Sequence, residues 1–316
     1  MFEKVVHSVR IRSCVPDHTI GLVEDRGGRV GFAWELEYAG SALSRACKIE
    51  SLTVKNAQKE KHVKLGTVTY QIAKDMDVAS LIELCQKTGL TGVELRTEHA
   101  HGVELGLNAS QRSDVKKRFE DGGIEIVGLG SIYEFHAVEP EVVRKNIEGA
   151  IAYARLAADL GCSGIKCRPN GLQVDNGIPE EKTLEQIGLS MRECAQAAAD
   201  LGVEVRLEIH SRETNQPTRM RTIMDHADHP NATVCWNSTP PDIVDGSVKS
   251  SYELLKDKLT LYHLHELSDP AYPYRELLSL LKADGFEGYT LIEIGPSDNP
   301  ERLLNYYREL WTAWVE

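Results

Sequence analysis

The sequence predicts an α/β fold, a closed (β/α)₈ barrel over residues 64–316 that follows an N-terminal extension over residues 1–63. From Lys64 onward, eight short apolar runs rich in β-branched residues alternate with eight longer amphipathic segments. Such alternation is typical of parallel β-α-β units. The length of this region is also close to the roughly 250 residues of a closed eightfold barrel.

Turn signals separate these elements. Gly89, Gly123 and Gly161 follow predicted helices, at the position where a left-handed residue commonly ends a helix. An open doubly wound sheet is the alternative, but residues 66–70 read GTVTY where that fold places a G-x-G-x-x-G motif. The predicted strands are 65–70, 92–96, 125–130, 164–168, 203–210, 233–237, 259–266 and 289–294. The predicted helices are 78–88, 110–121, 139–160, 180–201, 219–227, 249–256, 274–283 and 300–314.

The composition argues against several classes of protein. With 48 acidic against 36 basic residues the net charge is -12, which argues against a nucleic-acid-binding protein because such proteins neutralise phosphates with Lys and Arg. No run approaches the roughly 20 apolar residues of a membrane span. Residues 1–12 lack the apolar core of a secretory signal. The seven cysteines are scattered without a C-x-x-C pair, as expected of reduced thiols in the cytoplasm.

The extension carries scattered charges and no recognisable chemistry. Apolar residues alternate at Val30, Phe32 and Trp34, which would suit a hairpin. Because the eight predicted β-α units are complete without residues 1–63, we expect this segment to be dispensable for barrel folding and leave its role open.

Polar side chains end four consecutive predicted strands, the fifth to the eighth. In barrels of this kind the chemistry lies at the C-terminal ends of the strands. Two carboxylates, an imidazole and an amide oxygen there would suit one divalent ion such as Mn²⁺, Mg²⁺ or Co²⁺. The polar residues are Glu208 and His210, Asn237, His263, His265 and Glu266, and Glu293.

The two glutamates stand out because each follows apolar residues within its strand. A carboxylate held in such a place needs a partner. His263 and His265 share one face of their strand, and only the histidine nearer the mouth need bind a metal. We therefore interpret His263 as a core histidine or as one that supports a ligand.

Four segments carry a resemblance to a known family: LEIH at 207–210, VCWN at 234–237, HLH at 263–265 and LIE at 291–293. They resemble the metal-binding strands of the xylose isomerase-like TIM barrel superfamily. The nearest branch is that of the sugar phosphate isomerases and epimerases, which includes ketose 3-epimerases and inosose dehydratases.

The resemblance covers roughly residues 64–316 and implies specific roles. It assigns one divalent metal ion to Glu208, Asn237, His265 and Glu293, and it makes Glu208 and Glu293 the acid and base that flank the substrate carbon. The family usually has Asp where Asn237 stands and His where Pro240 stands. The loss of one negative charge is expected to lower metal affinity or to favour an altered reaction.

Other strand ends supply candidate substrate-binding residues. Lys166 and Arg168 alternate along one strand, so both can face the mouth and bind a polyhydroxylated or anionic molecule. Trp236 is a candidate wall for a sugar ring. The full candidate set is His99, Glu134, Lys166, Arg168, His210 and Trp236.

The leading functional hypothesis is a metal-dependent isomerase or epimerase that acts on a keto sugar by proton abstraction through an enediolate. The alternative is a lyase or dehydratase that eliminates from a keto sugar or an inosose. An endonuclease IV-like nuclease and a non-catalytic sugar-binding barrel are less favoured. The expected partner is a small carbohydrate rather than a nucleic acid or a membrane, and formation of a homo-oligomer is left open.

Overall fold

The computed structural model describes residues 63–315 and two short segments of the extension, 21–24 and 30–33. The chain divides into two compact units, residues 1–60 and 61–316. In the first unit, strand β1 (Gly21–Glu24) pairs antiparallel with β2 (Val30–Ala33), and Gly21 lies opposite Ala33. Trp34, which belongs to the alternating pattern, lies outside the described residues. The dispensability of the extension for folding stays a prediction.

Eight parallel strands of the second unit form a closed barrel. The last strand pairs with both the strand before it and the first strand of the barrel, which closes the ring. The predicted fold is therefore confirmed, and the open doubly wound sheet is excluded. The barrel strands are β3 (Lys64–Val68), β4 (Gly92–Arg96), β5 (Glu125–Glu134), β6 (Gly164–Arg168), β7 (Glu204–Glu208), β8 (Ala232–Trp236), β9 (Leu259–Leu264) and β10 (Tyr289–Ile292).

Helices connect successive strands and end where the sequence provides caps. The first helix begins after Asp77, whose side chain accepts a hydrogen bond from the backbone N–H of Ser80. It ends at Gly89, which has a φ of 69°, a conformation that favours glycine. Among the described residues no helix is long and apolar enough to cross a membrane. The helices are α1 (Val78–Thr88), α2 (Ala109–Gly122), α3 (Pro140–Leu160), α4 (Glu180–Ala199), α5 (Pro217–Ala227), α6 (Lys249–Leu255), α7 (Tyr274–Ala283) and α8 (Pro300–Val315).

Strand β7 ends at Glu208, which was predicted to lie on it, whereas β8, β9 and β10 each end one residue before Asn237, His265 and Glu293. The backbone nevertheless continues in pairing: the N–H of Glu293 donates to the carbonyl of Leu264, and the N–H of Ile209 donates to that of Cys235. Backbone hydrogen bonds between neighbouring strands thus still hold Glu293 at the mouth, although it follows its regular strand.

The interior of the barrel contains charged side chains as well as apolar ones. Glu94, Lys166, Glu208 and His263 are all buried, with at most 5% of each residue exposed. Burying a charge is costly unless it is paired, so these residues must compensate one another. We call these four residues the charged layer.

Candidate active site

Lys166 links two carboxylates of the charged layer. Its Nζ lies 2.9 Å from Oε1 of Glu208 and 3.3 Å from Oε1 of Glu94. The three side chains come from β6, β7 and β4, and they reach the same point because all three project into the barrel. The Lys166 ammonium is therefore an internal counter-ion for Glu94 and Glu208.

His263 lies between three carboxylates. Its Nε2 is 3.3 Å from Oε2 of Glu94, and its Nδ1 is 3.2 Å from Oε1 of Glu208 and 3.3 Å from Oε2 of Glu293. Although these distances are short, the buried Nδ1 has no partner of acceptable hydrogen-bond geometry. Ligand atoms of Glu208, His263 and Glu293 lie within 4.8 Å of one another, so this trio could hold a metal ion. The orphaned nitrogen fits that use.

The two other predicted ligands adjoin this trio. The Asn237 amide donates to Oε1 of Glu208 at 3.4 Å, and its Oδ1 lies 2.9 Å from Nε2 of His265. The same nitrogen of His265 is 3.4 Å from Oε2 of Glu293. The four residues predicted as ligands therefore converge, while His263 offers a second imidazole deeper in the barrel. The choice of His265 over His263 as a metal ligand stays a prediction.

The charges shift the pKa values of the two mouth carboxylates downwards. Burial alone would raise the pKa of Glu208, but the Lys166 ammonium and the contact with His263 lower it to about 2. Burial likewise opposes ionisation of Glu293, yet the charge of His263 holds its pKa well below the usual range. Both carboxylates are therefore ionised at neutral pH and can accept a proton.

A cavity of about 380 Å³ opens at this end of the barrel. Three of the predicted substrate-binding residues line it, namely Lys166, Arg168 and His210, together with all four predicted metal ligands. Tyr70 and Arg96 also face the cavity. Its volume and its mixture of charged and aromatic groups suit a small polar molecule.

Three other predicted substrate-binding residues do not line this cavity. Trp236 is fully buried, and its indole N–H donates to the hydroxyl of Tyr272 at 2.9 Å. Neighbouring positions of a strand face opposite sides, so Trp236 points away from the cavity that Asn237 faces. Glu134 is half-buried at the end of β5, beyond a register shift in that strand.

His99 lies behind the cavity wall. Its Nδ1 is 2.8 Å from the Thr69 hydroxyl, and its ring stacks beside the lining residue Tyr70 at 6.3 Å. Burial, together with the charge of Arg96, lowers the pKa of His99 to about 4, so the ring is neutral at pH 7. Its place suits support of Tyr70 rather than direct contact with a ligand.

Sequence reasoning missed Glu94 as a member of the site. The signal was present, because Glu94 stands between Val93 and Leu95 within a strand, as Glu208 follows Leu207 within another. Glu94 does not end its strand, however, and barrel chemistry is expected at strand ends. Its full burial opposes ionisation, but the charges of Lys166 and His263 lower its pKa.

Comparison with known proteins identifies the family. The sequence model of the xylose isomerase-like TIM barrel family matches residues 82–310 of this chain. The chain belongs to this family. No curated protein sequence matches the chain.

Solved structures of family-like barrels share the fold at low sequence identity. The 3-keto-D-glucoside 4-epimerase YcjR from E. coli, in its apo form, matches with a TM-score of 0.66 and 16% identity, over 79% of this chain and 99% of that one. D-Psicose 3-epimerase with D-tagatose from Clostridium cellulolyticum H10 gives a TM-score of 0.68 and 15% identity, over 80% and 100% of the chains. The structure of the IolI protein with a binding zinc atom gives a TM-score of 0.66 and 18% identity, over 80% of this chain and 98% of that one.

Proposed function

We propose that this protein is a divalent-metal-dependent isomerase or epimerase of a keto sugar or sugar derivative. The observation that carries the proposal is the convergence of Glu208 and Glu293 on one imidazole nitrogen at the mouth of a family barrel. The proposal is further supported by the sugar epimerases among the barrels of the same fold.

The donor set fits a divalent ion. Glu208 and Glu293 would hold it with an imidazole, either His263 or His265, and with the amide oxygen of Asn237. Such an ion supplies polarisation of a substrate carbonyl and of an adjacent hydroxyl. Oxygen and imidazole donors suit Mn²⁺, Mg²⁺ or Co²⁺, and also zinc.

The residues of the chain supply the proton transfers. Glu208 and Glu293 are both ionised at neutral pH, so either can remove the proton from the carbon beside the carbonyl. The carboxyl group that took the proton can return it to a neighbouring carbon, which gives isomerisation. The other carboxylate can instead pass a proton from solvent to the opposite face of the same carbon, which gives epimerisation, and solvent takes up the abstracted proton. Lys166 holds Glu208 in place through its 2.9 Å ion pair, so that the carboxylate does not turn away from the substrate.

The site is expected to exchange a carbon-bound proton of its substrate with solvent. Incubation of the Mn²⁺-loaded protein with a panel of keto sugars in D₂O should introduce one deuterium at the abstracted carbon, which NMR and mass spectrometry detect. Absence of exchange and conversion across the panel would count against this function. A product that lacks one molecule of water would instead identify the dehydratase alternative.

Metal binding is expected to depend on the charge at the mouth. Glu293→Gln should weaken Mn²⁺ binding by at least about tenfold, since it removes a negative charge from the ion's surroundings. Asn237→Asp should strengthen binding because it adds one. Calorimetric titration of the metal-free proteins measures both effects, and the exposed Glu148→Gln is the matched control.

The same titration of His263→Ala and His265→Ala identifies the imidazole ligand, because the variant that lacks the ligand should bind Mn²⁺ more weakly. Equal and sub-stoichiometric metal in wild type, Glu293→Gln and Asn237→Asp would refute the proposed site.

A further inference from the structure

Two guanidinium groups face the cavity without a carboxylate partner. Arg168 ends β6 and Arg96 ends β4, and both line the cavity. Among residues 63–315, neither forms an ion pair. Arg96 donates one hydrogen bond to the backbone carbonyl of Thr97 and lies over the ring of Tyr70, with its Cζ 5.7 Å from the ring centroid. Both groups thus keep donors available at the cavity wall.

Arg168 is the more exceptional of the two. Its Nε is buried, yet it finds no hydrogen-bond partner within the described part of the chain. The buried Arg206, in contrast, pairs with Glu204 at 2.9 Å and donates to the carbonyl of Val127 at 2.8 Å. A buried polar group without a partner is costly, so an orphaned guanidinium at a cavity wall points to a ligand.

The positive groups occupy one side of the mouth. Strands β4 and β6, which carry Arg96 and Arg168, flank β5, whose Ser131 also lines the cavity. The carboxylate Glu208 ends β7, and Glu293 directly follows β10. Lys166 does not add to the positive side, because its ammonium is held by Glu208 and Glu94.

We infer that the substrate carries an anionic group, a phosphate or a carboxylate, which Arg168 binds with help from Arg96. This inference rests on the proposed function, in which Glu208 and Glu293 act on the keto end of the same molecule. A guanidinium binds either anion through two parallel hydrogen bonds, whereas a neutral hydroxyl would leave its charge uncompensated. The protein has a net charge of -12, so an anionic substrate requires local cations of this kind.

Calorimetric binding of three matched ligands tests the inference: D-fructose, D-fructose 6-phosphate and D-fructuronate. Wild-type protein should bind at least one of the two anions about tenfold more tightly than D-fructose, and the preferred anion identifies the group. Arg168→Met should abolish this preference, while binding of D-fructose should change less than about threefold. These magnitudes follow from the strength of charge-assisted hydrogen bonds.

Two further variants separate charge from geometry and from general effects. Arg168→Lys keeps the charge but loses the bidentate contact, so it should recover only part of the preference. Arg155→Met removes one positive charge from an exposed position on α3 and should leave all three affinities unchanged. Thermal unfolding of each variant checks that the fold is retained. Among residues 63–315, Arg168→Met breaks no hydrogen bond or ion pair of the side chain.

The inference is overturned if wild type shows no preference for either anion, or if Arg168→Met weakens D-fructose and the anions equally. These outcomes are distinct from failure of the proposed function. Binding requires no turnover, so an anion preference without deuterium exchange would contradict only the isomerase proposal. Deuterium exchange on neutral ketoses without an anion preference would contradict only the inference of an anionic substrate.

Discussion

Glu208→Gln is expected to lower turnover of the keto sugar substrate by about 10²–10⁴-fold, the usual contribution of a general base. The substitution keeps the size of the side chain and one oxygen but removes the group that accepts the proton. The pKa of Glu208 is lowered to about 2, so in wild type the carboxylate is available as a base throughout the neutral range. The loss should therefore appear at every pH at which the protein is active.

The measurement is the initial rate of deuterium exchange at saturating Mn²⁺, so that weaker metal binding does not account for the loss. Glu148→Gln, an exposed change on α3, provides the control and should retain the full rate. A metal-saturated Glu208→Gln protein that exchanges at the wild-type rate would leave Glu208 with a purely binding role.

Lys166→Met is expected to destabilise the metal-free protein by about 3–5 kcal/mol, as is typical when one partner of a buried ion pair is removed. Methionine replaces the volume of the side chain, but it removes the ammonium that Glu94 and Glu208 share and leaves only the His263 imidazole to compensate them. Urea unfolding at pH 7 measures the difference. The exposed Lys145→Met is the matched control and should change stability by less than about 0.5 kcal/mol.

The effect of Lys166→Met should also depend on pH, with a definite sign. Glu208 has a depressed pKa in the folded protein, so its ion pair contributes stability that is fully present above its ordinary pKa of 4.5. That stability is lost as the pH falls from 4.5 through about 2, and the gap between wild type and variant should narrow over this window. Equal urea midpoints at pH 7 would show that the barrel does not depend on this counter-ion.

Much of the barrel could be predicted from the sequence because its signals are local. Alternating runs, capping glycines and glutamates within apolar strands indicated eight units and placed Glu208 and Glu293 at one end. These predictions rest on the local periodicity of the strands and on the rule that barrel chemistry lies at strand ends.

The parts that could not be predicted depend on contacts across the barrel. Lys166 was expected to bind substrate, yet its partners Glu94 and Glu208 come from β4 and β7, and no spacing in the sequence links them. Trp236 was expected at the cavity wall, although one step along the strand separates a residue that faces the cavity from one that faces away. His263 was correctly expected to be buried, but its contacts with three carboxylates required the closed ring.

The charged layer has a consequence for how the chain reaches its native state. Glu94 and His263 are 169 positions apart in the sequence, so their contact can form only late, when the two ends of the barrel have met. A partly closed barrel would hold carboxylates whose counter-ions had not arrived, and such groups stay hydrated rather than enter an apolar interior. Partly closed barrels are therefore high in free energy. Unfolding of residues 64–315 is expected to be cooperative, with water entering the charged layer as soon as the ring of strands opens.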